Sequence, residues 1–102
     1  IRDRQAGGRS FFLAHTVPGK RKMRHPENCR VCDFLMGEPE YEICYDPDRI
    51  IVTGHTVTSL IDKASRGRIW RGNGHIAIDC GAVYSGVLGC LCLDTLEEFY
   101  VE

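Results

Sequence analysis

The stretch Arg49–Thr56, RIIVTGHT, decides how the rest of the chain is read. Ile50 to Thr53 are β-branched residues in succession, entered from the turn residues Asp46-Pro47-Asp48 and stopped by Gly54. Branching at Cβ stiffens χ1 and suits a pleated backbone, so the pattern predicts a strand over 49–53. A second apolar run, SFFLAH at Ser10–His15, is bounded by Gly7-Gly8 and Pro18-Gly19 and predicts another short buried strand. Each run gives way to a histidine, His15 and His55, at the point where strand becomes loop. There the strand fixes the backbone while the loop frees the side chain, an arrangement that favours functional groups.

Working outward, Ile1–Gly8 (IRDRQAGG) reads as the tail of a helix leaving through Gly7-Gly8. With Ile rather than Met in first place, it raises the expectation of a longer protein. Thr16–Arg24 reads as an irregular basic loop. Pro26 opens a short helix with Val31, Phe34 and Leu35 on one face, ended by Gly37 and Pro39. A helical turn follows over 59–62. From there the chain reads as β: Gly67–Trp70, His75–Asp79, Val87–Asp94 and Glu98–Val101. Gly72-Asn73-Gly74 and Asp94-Thr95 supply tight turns, which predicts an antiparallel meander. Leu91 and Leu93 alternate with Cys90 and Cys92, so the strand over 87–94 is expected to be covered on both faces.

Composition narrows the function. The chain has 102 residues, 43% hydrophobic, with 13 basic against 14 acidic side chains. That allows one domain with a modest core and excludes a strongly basic nucleic-acid binder. No run reaches the roughly 18–20 apolar residues of a membrane-spanning helix. Six cysteines would suit a disulfide scaffold, but Cys80, Cys90 and Cys92 sit in apolar runs as small hydrophobes, which favours reduced thiols and a cytoplasmic location. Lys20, Arg21, Lys22 and Arg24 form a basic cluster without interleaved aromatics, read as a solvated loop ahead of a phosphate patch.

Imidazole is the commonest protein ligand for Zn, Fe and Mn, so His15 and His55 point to a metal site. A rival zinc set is His25, Cys29 and Cys32, although only this one CxxC is present. His75 reads as a surface or edge residue, Asp79 as a turn cap, and Tyr84 either as a core aromatic or as a cleft-lining side chain.

IVTGHT (Ile51–Thr56) followed by NGHIAIDCGAVYSGVLGCLCLDTLEEFYV (Asn73–Val101) resembles the C-terminal half of bacterial calcineurin-like metallophosphoesterases, in their serine/threonine protein phosphatase-like branch. The resemblance runs over roughly Ser10 to Val101. It implies an α+β fold over residues 1–102, the second half of a four-layer α/β/β/α sandwich built mostly on one mixed or antiparallel sheet. It implies two divalent metal ions (Mn, Fe or Zn), with His15 and His55 on the same ion and Gly54 letting the backbone pass close by. A metal-bridging hydroxide would attack a phosphate ester. The substrate would be a phosphorylated protein, with small phosphoesters such as diadenosine polyphosphates as neighbours. Tyr84 would line the substrate cleft. The family's Asp-x-His, Gly-Asp-x-x-Asp-Arg-Gly and Gly-Asn-His-Glu motifs do not occur here, so these residues alone are expected to be inactive. Relatives carry a tryptophan and a phosphate-binding arginine where this chain has Met36 and Glu38. That exchange opens the alternative of a degenerate module that binds a partner instead of hydrolysing a substrate.

Overall fold

Ile50–Thr53 lies at the centre of a five-stranded mixed sheet in the computed structural model, which describes residues 1–102. In chain order the strands of this sheet are β1 (Arg2–Ala6), β2 (Arg9–Leu13), β3 (Ile50–Thr53), β4 (Trp70–Gly72) and β5 (His75–Ala77). Across the sheet the order is β1-β2-β3-β5-β4. The inner three strands run parallel, Phe11 opposite Ile50 and Ile51 opposite His75, while β1 and β4 are antiparallel edges. β6 (Leu88–Leu91) and β7 (Glu98–Val101) form a separate antiparallel pair.

Successive side chains of a strand point to opposite faces, and the central strands are apolar on both. Phe12 and Ile51 face one way and pack with Val17, Met23, Phe34 and Tyr45. That layer comes from the connection between β2 and β3, which carries α1 (Lys20–Met23), a 3₁₀ turn at Pro26–Asn28 and α2 (Val31–Met36). Phe11, Val52 and Ile76 face the other way and meet Ile69 and Cys80, with Leu91 and Tyr100 of the β6–β7 pair behind them. Phe11, Val17 and Ile51 are at most 1% exposed, each burial contributing about 1.5–3 kcal/mol before entropy is charged against it. The remaining helices are single turns: α3 (Thr58–Ile61), a 3₁₀ turn at Lys63–Ser65 and α4 (Ala82–Ser85). The chain is thus an α+β fold with a mixed sheet, a two-stranded sheet and little helix. No helix is long and apolar enough to cross a membrane.

Several expectations are corrected. Residues 2–6 are a strand and not the tail of a helix: Arg2 pairs with Leu13 and Ala6 with Arg9, and Gly7 and Gly8 make the hairpin turn at φ of 57° and 79°. Positive φ at both central positions matches the twist of the flanking strands. The C-terminal part is not one meander, because β5 joins β3 in parallel and β6–β7 leave for the second sheet. Residues 82–85, read as part of a β region, form α4 between Gly81 and Gly86, both left-handed. Part of the basic loop is helical, as α1. β6 is covered on one face only: Leu88, Cys90, Phe99 and Val101 are exposed on the other.

Candidate functional site

Two neighbouring parallel strands end side by side, and that brings His15 and His55 together. The two loops are tied by backbone bonds: Ala14 N–H donates to the Val52 carbonyl at 3.1 Å, and Gly54 N–H donates to the His15 carbonyl at 2.9 Å. Carboxyl ends of parallel strands are where open α/β sheets place ligands. His15 is fixed from behind, because Thr16 is fully buried, its N–H donating to the Phe34 carbonyl and its hydroxyl to the Gly37 carbonyl.

His55 stands in an uncommon conformation. Its φ is +62°, and the Thr56 N–H donates to the Gly54 carbonyl across it at 2.7 Å, the hydrogen bond of a γ-turn. A β-carbon in the left-handed region costs about 1–2 kcal/mol, so the surroundings must hold it there. The outcome is a direct contact, His15 Nε2 to His55 Nδ1 at 2.9 Å, with the rings edge to face at a centroid separation of 4.7 Å. Both side chains are exposed. Two nitrogens each about 2.1 Å from one ion stand about 3–3.4 Å apart, so this separation lies close to what one ion needs. The chain offers only these two donors there. No group of three or more His, Cys, Asp or Glu residues is placed to hold a metal, so the residues fit part of a coordination shell and not a complete one.

The strand beneath the turn is held from the next strand. His75, expected at a surface or edge, is 1% exposed. Its Nε2 and the Thr53 hydroxyl are 2.7 Å apart, and its ring stacks on Tyr41 at 5.1 Å with Trp70 and Tyr45 edge-on. Burial pulls the imidazole down to about 4, so it is neutral at pH 7. Its Nδ1 and the Tyr41 hydroxyl have no hydrogen-bond partner. Burial pushes the Tyr41 phenol up. The sequence carries no local signal for this cluster, because its aromatics come from β4, β5 and a loop and meet only through the parallel pairing of β5 with β3.

Two hollows adjoin the pair. One, of about 520 Å³, runs from His15 along Pro26, Arg30, Val31, Phe34 and Leu35. The other, of about 420 Å³, lies over Leu13, Val52, Gly54, Ile78, Leu91 and Leu93. Glu38 and Tyr84 line neither. Glu38 is exposed on the loop after α2, and Tyr84 is 73% exposed on α4. Gly54 is not needed for want of space, since an added Cβ would meet only the His15 carbonyl at 3.9 Å. The Cys29 thiol donates to backbone carbonyls of Lys22 and His25, and His25 pairs with Glu27, so the rival zinc set is not assembled. Asp79 accepts from Gly81 N–H at 3.0 Å and caps its turn. All six cysteines are free thiols.

The chain matches no known family model, no curated protein and no solved structure.

Proposed function

We propose that His15 and His55 are two ligands of one divalent ion in a dinuclear metallophosphoesterase, most directly a serine/threonine protein phosphatase. The observation that carries this reading is the 2.9 Å contact between imidazoles at adjacent parallel strand ends, 40 residues apart in sequence. The resemblance of Ile51–Thr56 and Asn73–Val101 to that family supports it, and the mixed sheet with a second sheet on one face is compatible with half of the four-layer sandwich. The missing donors would come from outside these residues. Bound Mn, Fe or Zn would supply Lewis-acid activation of water and positive charge toward the phosphoryl group. This chain's own part is to hold two imidazoles at fixed separation on a stiff sheet. The substrate would be a phosphorylated protein or a small phosphoester; six free thiols favour a cytoplasmic setting, and the balance of 13 basic against 14 acidic residues gives no support to a nucleic-acid partner.

Cobalt titration followed by absorbance tests the ligands: binding should be weak in the chain and abolished by His15→Ala and by His55→Ala. In the protein that also holds the missing motifs, Mn²⁺-dependent release of phosphate from an aryl phosphate should fall at least 100-fold in either variant. Cobalt binding unchanged in both variants would sink the assignment. Exchange of the family's arginine for Glu38 favours a second reading, a module that binds its partner without hydrolysis. Arg restored at that position (Glu38→Arg) should then produce no gain in hydrolysis.

A further inference from the structure

His75 makes no contact with His15 or His55, yet it grips the strand that carries one of them. β3 and β5 are parallel, with Ile51 opposite His75 and Thr53 opposite Ala77, so the Thr53 and His75 side chains share a face. Thr53 is the last residue of β3, and the γ-turn that holds His55 at positive φ begins with the next residue. That turn is strained and exposed, and it needs a rigid base. Thr53 is 1% exposed, and its hydroxyl meets His75 Nε2 at 2.7 Å. The His75 ring is in turn clamped between Tyr41 on its face and Trp70 and Tyr45 at its edges.

The tautomer follows from the neighbours. A neutral imidazole carries one N–H, and a buried N–H without an acceptor costs more than a buried lone pair without a donor. Nδ1 has no partner, so the proton sits on Nε2 and is donated to the Thr53 oxygen.

We propose that His75 is a positioning residue of this site: its Nε2–H bond to the Thr53 hydroxyl fixes the end of β3 and so sets where the Gly54–Thr56 turn delivers the His55 imidazole against His15. The inference rests on the reading of His15 and His55 as a working pair. Groups hydrogen-bonded directly to a ligand typically change metal affinity 10- to 100-fold when removed, and His75, acting one residue further out through Thr53, is expected at the low end of that range.

The test uses the whole chain, with ring nitrogens observed by long-range ¹H–¹⁵N NMR and cobalt affinity measured in parallel. His75 should show the Nε2–H pattern. Thr53→Val, which exchanges a hydroxyl for a methyl at equal size, should move the His15 and His55 ring signals toward those of separate imidazoles and weaken cobalt binding about 10-fold. Thr53→Ser, which restores the hydroxyl, should recover both. His75→Phe keeps a ring in the stack and should reproduce Thr53→Val; if it fails to fold, the two Thr53 variants decide. Unaltered His15 and His55 signals in Thr53→Val, or no recovery in Thr53→Ser, overturns the proposal. If the signals respond as described while the native chain takes up no cobalt, the positioning role stands and the metal reading falls.

Discussion

At His55, backbone strain is set against the proposed ligand role. The γ-turn holds a β-carbon where only glycine is comfortable. His55→Gly should therefore be more stable than His55→Ala by about 1 kcal/mol in urea unfolding, since both remove the imidazole but only one removes the strain. Equal midpoints would mean that the turn relaxes once the ring is gone. His75 carries a pH dependence. Its folded value of about 4 lies below the usual histidine value of 6.5, so between them the unfolded chain takes up a proton that the folded chain does not. Stability therefore rises with pH across that window; the contribution is whole above about pH 6.5 and falls away toward pH 4, about 3 kcal/mol in all. His75→Phe should lose less stability than the native chain between pH 7 and pH 4.5, and an identical loss would refute the assignment. The two histidines at the strand ends were legible in sequence because an apolar run with an abrupt polar stop is a local signal. The His75 clamp was not, because a histidine beside Asn-Gly looks like a hairpin residue until the strand pairing buries it.

At the scale of elements, β7 shows how alternation divides labour. Tyr100 turns inward: its hydroxyl accepts from Ile69 N–H at 3.1 Å and donates to Glu98, and Arg68 lies 4.5 Å over its ring. Phe99, its neighbour, is 53% exposed. Tyr100→Ala should cost about 3 kcal/mol and Phe99→Ala less than about 1 kcal/mol by chemical denaturation; similar losses would show that both faces are packed. β3 and β7 were legible because β-branched and aromatic residues lie between clear turn residues. β1 was not, since Arg2, Asp3, Arg4 and Gln5 are all exposed on an edge strand and carry no apolar alternation. The partner of β5 was illegible for a different reason: a parallel partner is chosen by the crossover, while local signals point only to the adjoining hairpin strand β4.

In the whole molecule, the first hairpin is locked to the last turn. A Cβ at Gly7 would overlap the Asp94 carbonyl, whereas one at Gly8 would meet open space, although both residues have positive φ. Gly8→Ala should thus cost about 1 kcal/mol, the conformational term alone. Gly7→Ala adds a backbone clash between distant parts of the chain and should cost at least 2 kcal/mol, a difference read from thermal midpoints; equal shifts would show that the hairpin is free of the second sheet. Edge protection is also arranged at this scale, because the charged β1 covers β2 and sets Arg2, Asp3, Arg4 and Gln5 along that rim. The parallel register of β2 and β3 has a kinetic meaning as well. The hairpin at Gly7-Gly8 and that at Asn73-Gly74 need only short loops closed, while the β2–β3 register must first confine the whole segment from Ala14 to Arg49. The contact between His15 and His55 therefore waits on a long-range closure that neither hairpin supplies, so a chain with both hairpins formed need not yet have the two rings together.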